Sequence, residues 1–86
     1  MHVLIKTAAL DSYEAPIQNA DAEAVRMGFN PSTLPRVDAI KALAAALMSE
    51  MRAAGNEAGD GRSAALAVTN VEQAAMWGVK AATAKL

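Results

Sequence analysis

Thr69, Gln73, Met76 and Lys80 fall at i, i+4, i+7 and i+11, a spacing that lines one helical face with a hydroxyl, an amide, a soft apolar group and a cation. Asn70 and Trp77 flank that face. Such a surface suits a polar, flat, anionic molecule, with Trp77 stacking on a base and Lys80 pairing with a phosphate. A Trp beside a Met on a helix serves equally as an oligomer core residue, and that is the commoner use. Asp60-Gly61-Arg62-Ser63 offers free backbone N–H groups and a cation at a helix start, where an anion can dock; a capped turn accounts for the same residues. Catalysis lacks material. Asp38 and Glu50 sit where solvated helix faces are expected and have no catalytic partner, the single histidine is His2 near the N-terminus, and there is no cysteine.

These side chains need elements to carry them. Phe29-Asn-Pro-Ser-Thr-Leu-Pro35 is a turn, because Asn30 before Pro31 is pushed out of the helical region and Pro35 suits a first helical position. A helix therefore begins there with Ser32 or Thr33 as its cap. Val37, Ile40, Ala44, Leu47, Met51 and Ala54 follow at spacings of three and four, an apolar stripe on a helix of about 20 residues, roughly 30 Å long. Gly55, Gly59 and Gly61 stop that helix and turn the chain; without a preceding strand or a Lys-Ser/Thr ending they are not a phosphate loop. Asp60 caps a second helix, from about Arg62 to Lys85. Its small residues Ala64, Ala67, Val71, Ala74, Gly78 and Ala81 let a neighbouring helix approach closely. The fold class expected is all-α: an antiparallel helical hairpin over residues 29–86, preceded over 1–28 by a loosely placed arm with a short helix from about Asn19 to Met27.

Composition narrows the function classes. With 86 residues, eight Lys and Arg against nine Asp and Glu, and a net charge of −1, the chain is one small domain without the basic excess of a general nucleic-acid binder. Zero cysteines remove disulfide scaffolds and thiolate metal sites, and no cofactor or metal is expected. Val3 to Leu10 is broken by Lys6 and lacks a preceding basic region, so neither a signal peptide nor a membrane span is expected, and the location anticipated is cytoplasmic. Alanine supplies 22 residues and aromatics only 3%, a composition that forms helix readily but buries little area per residue. Leu66, Val68, Ala75, Met76, Trp77 and Val79 add more apolar surface to the second helix than one partner helix covers. Assembly into a homo-oligomer of hairpins is favoured over a covering N-terminal arm.

The run Ala67-Val-Thr-Asn-Val-Glu-Gln-Ala-Ala-Met-Trp-Gly-Val-Lys-Ala81 resembles the second helix of the helical-hairpin family of phage cyclic-oligonucleotide sponges. These are the small anti-CBASS proteins, whose hairpin is shared with sponges that counter the Thoeris defence. Phe29-Asn-Pro-Ser, Val37-Asp-x-Ile-Lys41 with the Ala and Leu run after it, and Arg62 are similar to the same family, over roughly residues 26–84.

The resemblance implies a compact hexamer built from dimers, with pockets at protomer interfaces that sequester cyclic nucleotide second messengers intact, in the cytoplasm of an infected bacterium. No enzymatic step is implied. Phe29 or Tyr13 would sandwich a base, Lys41 with Arg36 or Arg62 would hold phosphates, and Thr69 and Asn70 would meet polar edges. The ligands implied are cyclic dinucleotides such as cyclic GMP-AMP, and cyclic trinucleotides, with cyclic ADP-ribose-type signals as an alternative. A structural helical assembly or adaptor module without a small ligand is the alternative from a different class. Lys41 near the start of one helix and Arg62 at the start of its antiparallel partner are expected about 20 Å or more apart, so within one chain they cannot share a phosphate. Either a neighbouring protomer brings them together or they serve two different pockets, and the resemblance, to proteins with separate dinucleotide and trinucleotide sites, favours the second. Trp77 is expected in the hairpin core as a structural anchor.

Overall fold

The computed structural model describes residues 1–86, in the order β1 (His2–Ile5), β2 (Tyr13–Pro16), α1 (Asn19–Ala24), α2 (Pro35–Ala58) and α3 (Gly61–Ala82). Pro35 opens α2 at its first turn, where a missing N–H costs nothing. The cap differs from the one expected. Leu34 occupies the N-cap position without a side-chain hydrogen bond to the helix, and the turn is braced from outside it. Asn30 Nδ2 donates to the Leu34 carbonyl at 3.0 Å and to Asp38 Oδ1 at 3.1 Å, while Ser32 Oγ accepts from the Leu34 N–H at 3.2 Å.

The first long helix also runs further than its stripe predicts, through Gly55 to Ala58. Gly55 belongs to the helix and not to the turn. A Cβ there would lie 2.4 Å from the Ala64 Cβ and 3.0 Å from the Asp60 carbonyl oxygen, so its glycine answers to the crossing with α3. Gly59, at φ 71°, is the left-handed residue that ends α2. Asp60 then caps α3 as expected, accepting from the Ser63 N–H at 3.0 Å, a bond that holds its carboxyl below the usual carboxylate range.

Helix α2 is the central element, packed on one side by α3 and on the other by α1 and both strands. Because it is covered twice, its buried positions spread beyond a single stripe. Val37, Lys41, Ala44, Ala45, Ala46, Met48 and Ser49 are buried, whereas Leu47 and Ala54, both placed inward by spacing, are exposed. On α3 the buried residues are Val68 and Ala75; Ala64, Ala67, Val71 and Gly78 are partly covered, and Ala74 and Ala81 face outward. Trp77 is a further correction: it is 68% exposed beside Met76 at 69%, outside the hairpin core. Both are exposed on α3, and Met76 also borders a groove that Lys41 of α2 lines.

The N-terminal 28 residues are not a loose arm, and the fold is a helical hairpin with a small sheet instead of all-α. Strands β1 and β2 pair antiparallel, His2 with Pro16, Val3 with Ala15, Leu4 with Glu14 and Ile5 with Tyr13, so His2 sits in a strand. Val3 and Ile5 pack toward the core and Leu4 points out, the period-two alternation of a half-covered strand. Two four-residue strands are too short to stand alone, and their packing on α2 sustains them. A polar clasp finishes this layer. Asp21, fully buried, accepts from Ser49 Oγ at 2.8 Å and from Arg52 Nε at 3.0 Å, and Ser49 Oγ accepts from the Gln18 N–H at 3.0 Å. No helix is long and apolar enough to cross a membrane.

Candidate functional site

Between α1 and α2 the chain folds back over the start of α2. Arg26 adopts a left-handed backbone, φ 55°, which reverses the chain after α1, and its carbonyl accepts from the Phe29 N–H at 2.9 Å. Lys41, nearly two turns into α2, reaches into this reversal. Its Nζ donates to the Arg26 carbonyl at 2.9 Å and to the Phe29 carbonyl, which leaves the side chain buried at 7% exposure. An ammonium has three donors, so one N–H is left for another partner.

Phe29 is held half exposed by this arrangement. The Arg26 guanidinium carbon lies 4.5 Å from its ring centroid and Lys41 Nζ lies 5.7 Å from it. Beside the ring is a cavity of about 450 Å³ lined by Phe29, Asn30, Ser32, Val37, Lys41, Val79 and Thr83. On the other side of Lys41 a groove of about 310 Å³ is lined by Arg26, Glu72, Ala75, Met76 and Val79. An apolar wall, a few amide and hydroxyl groups and two cations around an aromatic ring suit a planar heterocycle carrying negative charge.

The other expected ligand residues lie elsewhere. Tyr13 is half buried on β2 and its hydroxyl donates to Glu50. That bond, with desolvation and the negative charges of Glu50 and Glu57 adding, raises the phenol above its ordinary value. Glu50 is nine residues beyond Lys41 on α2, roughly 14 Å along the axis, so Tyr13 and Phe29 do not face one another. Arg36 is exposed on the first turn of α2 and does not line the cavity. Lys41 packs at the level of Val79, so Arg62, at the opposite end of α3, is roughly 25 Å away along the axis.

Arg62, Thr69 and Asn70 share the exposed face of α3. The Thr69 hydroxyl donates to the Ala65 carbonyl of its own helix at 3.1 Å. Further along that helix Gln73, Met76, Trp77 and Lys80 line a shallow depression of about 360 Å³, with Lys80 Nζ 5.1 Å from the Trp77 ring. The structure thus joins Phe29 with Lys41 at one place and sets Arg62, Thr69 and Asn70 on another.

Arg26, Asn30, Val79 and Thr83 were not anticipated around Phe29. For Arg26 a signal existed in Arg26-Met-Gly-Phe29, a cation three residues ahead of an aromatic across a glycine. Comparison with curated proteins and with solved structures finds no match. The family model described as the Acb2/Tad1 hairpin domain matches residues 19–83, from the start of α1 to the end of α3. With three quarters of its length inside that match, the chain belongs to the Acb2/Tad1 hairpin-domain family, phage sponges of the anti-CBASS and anti-Thoeris type that take up cyclic nucleotide signals.

Proposed function

We propose that this protein sequesters cyclic di- and trinucleotide second messengers, unchanged, in the cytoplasm of an infected bacterium. The observation that carries this reading is Phe29, held half exposed between Arg26 and Lys41 beside a cavity of about 450 Å³. The ring supplies a stacking surface and the cations supply charge for phosphates. A net charge of −1 is no obstacle, because a ligand with two or three phosphates needs a local cluster of cations and not a basic surface.

The pockets are completed between protomers of a homo-oligomer, for which we propose a hexamer. Leu43, Leu66, Met76 and Trp77, all more than half exposed, support assembly, since a small domain does not leave such surface to water without a partner. Phe29 and Lys41 serve the dinucleotide; Arg62, Thr69 and Asn70, too distant to join them in one chain, serve the trinucleotide. To compete with a receptor the sponge needs nanomolar affinity, about −12 kcal/mol, which stacked bases and charge-assisted hydrogen bonds in a dry pocket can supply.

Titration calorimetry with cyclic dinucleotides, cyclic trinucleotides and cyclic ADP-ribose isomers tests the reading, with chromatography to recover the bound ligand intact. Phe29→Ala weakens dinucleotide binding and spares the trinucleotide, and Arg62→Ala or Thr69→Ala does the reverse, each by about 1.5–3 kcal/mol. Equal losses for both ligands in every variant would merge the two sites. Absence of any binding would leave a structural helical assembly as the better account.

A further inference from the structure

One face of the Phe29 ring is already covered. Arg26 lays its guanidinium 4.5 Å from the ring centroid, and a guanidinium is a planar cation that occupies the place of a flat heterocycle. The residue is also free of ionic commitments: the chain's one ion pair joins Arg52 to Asp21, and no carboxylate pairs with Arg26. Its backbone, by contrast, is fixed. The Arg26 carbonyl accepts from both Lys41 Nζ and the Phe29 N–H, which holds the left-handed turn in place and leaves the side chain as the part able to move. That side chain borders two hollows at once, the groove of about 310 Å³ shared with Lys41 and a surface depression of about 440 Å³ shared with Phe29.

We propose that Arg26 is a phosphate-binding residue of this site and that its stack on Phe29 is a resting position. A base entering the site takes the ring face, and the displaced guanidinium turns to the ligand's own phosphate. The inference rests on the cyclic-nucleotide reading of the same site. It also gives the site a means of selection. A base without a phosphate must displace the cation and offers nothing in exchange, whereas a nucleotide replaces a cation–aromatic contact with a charge-assisted one, which is the stronger of the two.

The test is calorimetry of the full chain with cyclic GMP-AMP and with cyclic triadenylate, comparing Arg26→Ala, Arg26→Lys and Phe29→Ala with the parent, and thermal melting of each. Arg26→Ala is expected to weaken the ligand bound at this site by about 10- to 100-fold, the loss of one charge-assisted contact. Arg26→Lys should fall between, because it keeps the charge without the planar fork. Melting temperatures of the two Arg26 variants should stay close to the parent's, since the side chain is exposed. If Arg26→Ala binds as tightly as the parent or more tightly while Phe29→Ala loses binding, Arg26 only shields the ring and the inference is overturned. If Phe29→Ala binds normally too, the ligand is held elsewhere and the inference falls while the sponge function stands. Failure of the parent itself to bind either nucleotide would sink the cyclic-nucleotide reading, and the inference with it.

Discussion

Replacing Lys41 with Met separates the two duties that meet in that side chain. Methionine keeps most of the length and the apolar stem but has no donor to offer. The Arg26 carbonyl would retain its bond from the Phe29 N–H, whereas the Phe29 carbonyl would lose its one partner. Loss of a hydrogen bond from a charged donor costs about 1.5–3 kcal/mol, and the weakened bond at Arg26 adds to this. Removal of a desolvated ammonium returns part of the loss. The net destabilisation expected is about 2 kcal/mol, which in a domain of this size lowers the melting temperature by roughly 10 °C. Melting followed by circular dichroism reads the global loss, and hydrogen exchange at the Met27 to Phe29 amides reads the local one. A Lys41→Met protein that melts with the parent, shows parental exchange in that turn and yet loses its ligand would refute this reasoning. In that case the ammonium would serve phosphates alone.

Gly55→Ala should gain about 1 kcal/mol of helix propensity but lose more to the clash with the Ala64 Cβ, for a net destabilisation on the order of 1–2 kcal/mol in urea denaturation. Ala64→Gly removes the Cβ clash but costs about 1 kcal/mol of helix propensity in α3, so the pair should show a favourable coupling on the order of 1–2 kcal/mol in a double-mutant cycle, and purely additive losses would mean that the crossing is not the cause. Tyr13 contributes stability below the unfolded phenol value near 10, and loses it as pH rises through its higher folded value. Melting across an alkaline series should show this limb flattened in Tyr13→Phe. Trp77→Ala should change the stability of the dilute chain by less than about 1 kcal/mol, since the side chain is exposed, and should reduce the mass found by light scattering. A large loss of stability with the mass unchanged would return Trp77 to the hairpin core.

The hairpin was legible because its punctuation is local. Pro35, the glycines after Ala54 and Asp60 act on their own backbone, and α2 and α3 begin and end within a few residues of where those signals place them. What sequence could not show is what lies on the second side of α2. Covering that side buries Ala45 and Met48 off the expected stripe, and it turns Lys41 from a surface cation into a clamp on two carbonyls. The strands were hidden for the same reason. His2–Ile5 and Tyr13–Pro16 are too short to display a period, and their support is α2, some thirty residues further along. At the site, Phe29 and Lys41 were picked out singly, and their meeting depends on the left-handed turn at Arg26. Nothing in the type of residue 26 signals a positive φ, which arginine rarely adopts.

Ala44, Ala45 and Ala46 lie buried in a helix that is covered from two sides, and this divides the molecule by its tolerance for change. Along that segment even one added methylene presses on a neighbouring layer, so the interior admits few substitutions. The outer face of α3 and the side chains of Arg26 and Phe29 in the reversal are exposed and carry no such restriction from packing within the chain. New side chains there alter what the surface meets without disturbing how the helices pack. Pressure to follow a changing signal molecule would therefore be absorbed at those two places, with the alanine layer beneath them held constant.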